Sequence, residues 1–221
     1  MEQADQEGRA NTDTPLARRK QEKRDKILAA AAGVFAENGF SRTTMAQVAE
    51  RADVGKGTLY EYFPSKEELY FNVFESFVRQ VYGAVSGLTL SQTSDSAVQL
   101  LTRLNQAIVD QLQDTRKHYG LFMEFWSASA NSGLKHRFQE AFRTMYRMYG
   151  DLVAGVVDKG VARGEFRSGV DTRALGSCLV GAWDAMGLQA WFDEDFSMVR
   201  TARTFMDVVL AGLKPDPGPG A

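Results

Sequence analysis

The chain has one cysteine, Cys178, in 221 residues, so no intrachain disulfide can staple it, in keeping with a reducing compartment. Cys178 reads as a small buried apolar residue rather than a reactive thiol. Histidine is nearly as scarce. His118 and His136 stand apart, with no His-Glu-x-x-His and no cysteine cluster, which removes the usual zinc ligand sets. Proline is missing between Pro64 and Pro215, a gap that suits a helical bundle and not a turn-rich β domain. No apolar run is long enough to span a bilayer, and the N-terminus is polar, without the apolar core of a secretory signal. Phosphate-loop and hydrolase signatures are also lacking. Gly57 stands where Gly55-Lys56 would have to be followed by Ser or Thr, and no Gly-x-Ser-x-Gly occurs. These absences set the expectation of a cytoplasmic, all-α protein that is not an enzyme and carries no metal or other cofactor.

Net charge is −2, which taken alone argues against a nucleic-acid partner. Its distribution argues otherwise. From Arg18 to Lys66 there are ten Lys or Arg against six acids, a local net charge of +4. Positive charge gathered near one element is the footprint of a DNA binder whose remainder is free to be acidic. Arg18 to Lys26 taken separately reads equally well as a solvated helix face.

The element in question lies between Thr43 and Leu69. Thr44-Met45-Ala46-Gln47 is a capping-box pattern, which predicts a helix start with the Thr44 hydroxyl and the Gln47 amide satisfying each other's backbone. Met45, Val48, Ala49 and Ala52 follow at helical spacing and form a short apolar stripe. Asp53-Val54-Gly55 breaks the run, since Gly enters positive φ freely and Asp tolerates it. Lys56 to Phe63 restarts it, with Leu59 and Phe63 facing inward and Lys56, Thr58, Tyr60, Glu61 and Tyr62 pointing elsewhere. Ser65-Lys66-Glu67-Glu68, directly after Pro64, is a second capping box. Two short helices with a three-residue turn fit a helix-turn-helix, whose second helix lies in the DNA major groove.

The residues Thr44, Ala49, Ala52, Val54, Gly57, Thr58, Leu59, Tyr60, Tyr62, Phe63, Ser65, Lys66, Glu67 and Leu69 closely resemble the pattern of the tetracycline-repressor-like (TetR) family of bacterial transcription regulators. Two positions depart from it: Asp53 where Gly is usual, and Gly55 where Ser or Thr usually caps the recognition helix. The resemblance implies DNA contacts from Thr44, Lys56, Tyr60, Tyr62 and Lys66, with Gly57 and Thr58 close to the DNA. The chemistry agrees: hydroxyls and amides at helix starts suit phosphate, Lys adds charge, and an exposed Tyr offers a donor and a flat apolar face. Glu61 has two readings. It accepts from a cytosine amino group, or it discourages wrong registers and pairs with a neighbouring cation.

Along the chain, residues 1–13 lack periodicity and are expected to be a disordered arm. Thr14-Pro15 predicts a helix start and Gly39 its end after Asn38, with Ile27, Ala30, Ala31, Val34 and Phe35 as core and Phe40 folding back beneath them. This gives a three-helix DNA-binding domain over 14–64. Residues 65–214 form a helical effector-binding and dimerisation domain, and 215–221 a disordered tail. Within the second domain Gly83 to Ser94 reads as a loop, Leu134 opens a long helix that Gly160 and Gly164 end, and Asp171 caps the next.

In the C-terminal part no motif recurs, and the resemblance is architectural only. It implies that the helices at Asp171 to Trp191 and Phe196 to Leu213 pair with those of a second copy, weakly supported by the small residues Gly176, Ala182, Ala185 and Ala211. It also implies a cavity for a small apolar effector lined by Phe122, Phe125, Trp126, Phe142, Met145, Tyr146, Tyr149 and Trp183. An aromatic and Met stripe at helical spacing is more often ordinary core than a cavity lining, and Trp183 and Trp191 suit a dimer interface as well as a cavity. The expected protein is a homodimeric regulator, most simply a repressor, that binds a palindromic operator in double-stranded DNA and releases it when the ligand enters. Alternatives are an activating or architectural DNA binder without an effector, and a helical interaction module that does not act on DNA.

Overall fold

The computed structural model describes residues 14–90, 95–114 and 116–215. The expected arm at 1–13, most of the expected tail and the last part of the expected loop, 91–94, lie outside them. Among the described residues there are nine α-helices and no strand. They are α1 Pro15–Arg42, α2 Met45–Arg51, α3 Lys56–Tyr62, α4 Lys66–Leu90, α5 Ala97–Asp114, α6 Tyr119–Asn131, α7 Lys135–Ala162, α8 Thr172–Phe192 and α9 Met198–Leu213. A 3-10 turn, Arg116–His118, precedes α6. Two compact units result: Met1–Ser76 with Gly120–Phe125, and Phe77–Tyr119 with Trp126–Ala221.

The first unit is built as its caps dictate. Thr14 accepts from the Ala17 N–H at 3.2 Å, and Pro15, which has no N–H to leave unpaired, takes the first helical position. Gly39, at φ +74, breaks α1 near its end, and only a residue without Cβ adopts that conformation readily. The chain then turns so that Phe40 packs back on Phe35, ring centres 6.0 Å apart. Ile27, Ala31, Val34 and Phe35 of α1 join Val48, Ala49, Leu59 and Phe63 in the buried core. Tyr70 and Phe74 of α4 and Phe125 of α6 extend it as an aromatic cluster, with centroid distances of 5.1 Å for Phe35–Tyr70, 4.8 Å for Tyr70–Phe125 and 5.3 Å for Phe74–Phe125. Burial pushes the Tyr70 hydroxyl well above its ordinary pKa, with the Glu124 carboxylate acting in the same direction.

In the second unit, α7 and α8 form the most extensive helix pair. Their approach is set by glycine: a Cβ on Gly176 would lie 2.5 Å from the Gly150 carbonyl oxygen. Gly176 therefore serves packing within the chain rather than an interface between chains. Gly160 has a similar task. It sits inside α7 and does not end it, because a Cβ there would collide with Phe166 and Ala97. Gly164, at φ +71, is the terminating residue: the Glu165 N–H reaches the Gly160 carbonyl at 2.9 Å and the Gly164 N–H reaches Val161 at 3.0 Å, a Schellman closure. The expected loop from Gly83 is helical as far as Leu90, with Val85 fully buried. Asp171 caps α8 by accepting from Ala174 at 3.0 Å, as its position predicts.

Candidate functional site

The helix-turn-helix forms around its predicted contacts. Thr44 accepts from the Gln47 N–H at 3.3 Å, and the Gln47 side chain accepts from the Thr44 N–H at 2.8 Å. The same Gln47 oxygen takes the Thr44 hydroxyl proton at 3.0 Å, so that hydroxyl acts first as a cap of α2. Asp53 alone among the described non-glycine residues has positive φ, +52, and makes the turn. Gly55 stays in an extended conformation at φ −65 and offers no side-chain cap to α3. The turn's strain thus falls on the residue that replaces the family's usual glycine.

Leu59 and Phe63 anchor α3 in the core. Lys56, Gly57, Tyr60 and Glu61 are exposed on the opposite face, while Thr58 and Tyr62 are half-buried at its edges. Tyr60 is 50 % exposed. Tyr62 leans on Phe63, ring centres 6.5 Å apart. These six residues are therefore brought onto one short helix, four of them exposed. Opposite-charge pairs brace the neighbouring surface: Arg51 holds Glu37 through two bonds of 3.0 and 2.7 Å, which keeps the Glu37 carboxyl below its ordinary pKa. Arg24 stacks over the Phe63 ring at 5.2 Å and donates to Asn72.

Lys66, expected to contact phosphate, is engaged by backbone carbonyls in this structure. Its ammonium donates to the carbonyls of Phe40 at 2.8 Å, Thr43 at 3.0 Å and Ser41 at 3.5 Å, and lies 4.3 Å from the centre of the Phe40 ring. All three ammonium protons thus have acceptors at the frayed end of α1, and the side chain clamps that end to the start of α4. Beside α3, Arg19, Lys23 and Lys26 of α1 line an open groove of about 590 Å³ with Glu22, Asp53, Val54, Gly55 and Thr58. Lys26 and Asp53 approach to 3.5 Å across it. The helical spacing of 19, 23 and 26 places these cations on one face.

The residues expected around an effector fall into both units. Phe125 is fully buried in the aromatic core of the first unit, and Phe122 belongs to that unit as well. The remainder lie in the second. Trp126 meets Phe142 edge-on at 6.4 Å and Phe142 stacks on Tyr146 at 6.4 Å, with Met145 buried. Tyr149 donates to the Val78 carbonyl at 3.1 Å, and Trp183 donates to Asn105 at 2.8 Å, which in turn reaches the Ala202 carbonyl at 3.4 Å. Two carboxylates were not singled out by sequence. Glu124 accepts the Phe40 N–H at 3.0 Å. Asp184 accepts from the Tyr146 hydroxyl at 2.6 Å, and its own carbonyl accepts from Tyr119 at 3.3 Å. Burial pushes the Asp184 carboxyl up to about 6, opposed by the Tyr146 bond. Burial and the nearby Asp184 charge push Tyr119 up to about 12 and Tyr146 higher still.

This geometry has close relatives. Residues 27–73 match the tetR family of bacterial regulatory proteins. The chain belongs to the TetR family. It is 29 % identical over 205 residues to the HTH-type transcriptional repressor KstR2 of Rhodococcus jostii, covering 86 % of this chain and 91 % of that one. It is 23 % identical over 209 residues to the fatty acid metabolism regulator protein of Bacillus subtilis, covering 89 % and 98 %. The fold is shared with the crystal structure of the B. subtilis regulator FadR in complex with stearoyl-CoA, at TM-score 0.67 and 21 % identity over 85 % of this chain and 98 % of that one. This TetR-family protein is accordingly a DNA-binding transcription regulator and not an enzyme. Among its described residues no helix is long and apolar enough to cross a membrane, and no cluster of His, Cys, Asp or Glu could hold a metal ion.

Proposed function

We propose that this regulator is a cytoplasmic homodimeric repressor that binds a palindromic operator through α3 and releases it when a small, largely apolar ligand enters the helical C-terminal domain. The observation that carries the DNA part is the display of Lys56, Gly57, Tyr60 and Glu61 on α3 while Leu59 and Phe63 alone satisfy the core. Side chains that packing does not need are available to read base edges, and Arg19, Lys23 and Lys26 add charge for the flanking phosphates. Lys56, Thr58, Tyr60, Glu61 and Tyr62 act directly. Thr44 first caps α2, and Lys66 supports the domain from behind.

Two features favour dimerisation through α8 and α9. Ala174, Cys178, Gly181 and Ala185 recur at helical spacing and are all exposed, Cys178 contrary to its expected burial, a smooth stripe that permits close helix approach. Val208 on α9 and Phe192 at the end of α8 are 67 % and 73 % exposed, large apolar side chains that a partner would cover. A two-fold pair of recognition helices reads half-sites about one helical turn apart, or a multiple of it. The ligand class is favoured by the relatives: a regulator of fatty acid metabolism and one crystallised with stearoyl-CoA both point to a molecule with a long apolar chain.

Ligand and DNA would then be linked through a population shift, each weakening the other by the same factor. Selection of bound DNA from a random pool tests the reading. A two-fold symmetric consensus, with a solution mass of twice the chain, supports it; an asymmetric or featureless pool sinks it.

A further inference from the structure

Asp53 has a strained backbone and no packing to offset it. Its φ of +52 is one that glycine adopts freely and aspartate at some cost. The side chain is 95 % exposed, and among the described residues its carboxylate pairs only with Lys26, at 3.5 Å. An ion pair so exposed contributes little to stability. The turn is closed by backbone bonds that need no carboxylate, from the Asp53 N–H to Glu50 at 3.1 Å and from the Val54 N–H to Ala49 at 3.0 Å. What the side chain adds is a negative charge, and the place of that charge decides its effect.

That place is the groove beside the recognition helix. Arg19, Lys23 and Lys26 line it from α1, and Asp53, Gly55 and Thr58 line it from the turn and from α3. The opposite face of α1 holds these cations in position: Arg24 donates to Asn72 of α4 and stacks over Phe63, 5.2 Å from the ring centre. Two cations near the helix-turn-helix face an acid, and they differ. Arg51 is tied to Glu37 by bonds of 3.0 and 2.7 Å and is committed to the fold. Lys26 is 55 % exposed and makes no hydrogen bond with its acid, so an incoming anion can displace the carboxylate. Glu22 lines the same groove without pairing with Lys26.

We propose that Asp53 is a built-in competitor for DNA phosphate, an intramolecular counter-ion that DNA must displace before it engages Lys26. The residue sets the affinity and salt dependence of DNA binding, and α3 sets the sequence that is read. The inference rests on the reading that Arg19, Lys23 and Lys26 meet phosphates flanking the α3 site. Each phosphate neutralised by a cation releases condensed counter-ions. A lysine already matched by a carboxylate releases fewer, and the displaced carboxylate then stands close to the DNA and is repelled by it.

The test uses the full chain. Asp53→Asn removes the charge but keeps a residue that tolerates positive φ, and Asp53→Gly supplies the residue best suited to that backbone. Both should melt at or near the wild-type temperature. Binding to a random-sequence duplex and to the selected operator is titrated between about 50 and 200 mM salt. We expect both variants to bind both DNAs about three- to ten-fold more tightly at the low-salt end, with a log–log salt slope steeper by about 0.9, the value for one phosphate. In a Lys26→Gln background the same substitutions should gain less than about two-fold, because the lysine they release is gone. A role confined to shaping the turn predicts no change of slope in Asp53→Gly.

Unaltered affinity and slope in both variants overturn the inference, and so does weaker binding. A gain of full size in the Lys26→Gln background overturns it as well, since the charge then acts without that lysine. A gain on operator alone makes Asp53 a reader of bases and has the same result. Arg19→Gln combined with Lys23→Gln separates the two readings. A shallower slope there, with unaltered Asp53 variants, sinks the competitor and leaves the phosphate reading standing. An unaltered slope there sinks the phosphate reading and the inference with it.

Discussion

The Phe40 backbone N–H donates to the Glu124 carboxylate across 3.0 Å, tying the end of α1 to the first turns of α6 inside one compact unit. The bond is possible because Gly39 precedes it. A Cβ on Gly39 would stand 2.8 Å from the Glu124 Oε1, and the residue is at φ +74. Glu124→Ala should therefore lower the unfolding free energy by about 1–3 kcal/mol, the cost of stranding a half-buried donor. Glu124→Gln should lower it less. Gly39→Ala adds backbone strain of about 1–3 kcal/mol to the clash and should cost at least as much as Glu124→Ala. Urea denaturation checks the order, and equal stability of Gly39→Ala and wild type would contradict it.

Tyr60 and Lys66 separate recognition from support. Tyr60 is half exposed and has no hydrogen-bond partner among the described residues, so Tyr60→Ala should change stability by less than about 0.5 kcal/mol. Its operator affinity should fall by about 1–3 kcal/mol, with little loss of non-specific binding. Lys66→Ala strands three carbonyls and removes the cation from the Phe40 ring, and should lower the melting temperature first. Its salt dependence of DNA binding should stay close to wild type, since a side chain engaged with carbonyls displaces no counterion. A salt slope reduced by about one unit in Lys66→Ala would instead return Lys66 to the phosphates.

What could be read from the sequence was whatever a few neighbouring residues decide. Thr14, Thr44 and Asp171 cap helices because a hydroxyl or carboxylate three residues before an N–H reaches it whatever lies elsewhere. Leu59 and Phe63 are core because their spacing leaves them no other face. Three kinds of feature were not legible. Val85 holds Gly83 to Leu90 in a helix through burial, against the low propensity of Gly, Ser and Thr. Gly160 reads as a terminator but is a space left for Phe166 and Ala97. The tasks of Lys66, Glu124 and Asp184 depend on partners 26, 84 and 38 positions away in the chain, and no local pattern encodes those pairings.

Gly55 offers a gain of function. A Cβ added there would meet no atom within 4 Å, and its φ of −65 is one that any residue adopts, so Ser fits without strain. Gly55→Ser should add a cap to α3, raising stability by only a few tenths of a kcal/mol because Gly is itself a tolerable N-cap. The larger effect should be on DNA. A hydroxyl beside Lys56 adds a donor for a phosphate, so operator affinity should rise several-fold with little change in the preferred sequence. Electrophoretic titration against the selected operator measures it, and an affinity at or below wild type would show that position 55 does not approach the backbone.

Asp184 makes stability depend on pH in the direction opposite to a paired carboxylate. Its pKa is raised to about 6 in the folded chain from 3.8, so between about pH 4 and 6 the folded state binds the proton that the unfolded state has released. Stability attributable to this group is greatest at the acid end and is lost as the pH rises through 6. The groups facing it do not reverse the sign: Tyr119 on α6 and Tyr146 and Tyr149 on α7 all have raised pKa values and stay neutral over that range. Asp184→Asn keeps the shape and the Tyr146 bond but cannot ionise. It should match wild type near pH 4 and exceed it at pH 7.5 by about 1 kcal/mol or more, which for a chain of this size is about 2–4 °C in Tm. Thermal unfolding of the two proteins at both pH values decides it. A variant less stable than wild type at pH 7.5 and equal to it at pH 4 would mean that the ionised carboxylate is stabilised where it sits, and the predicted direction of the pH dependence would be wrong.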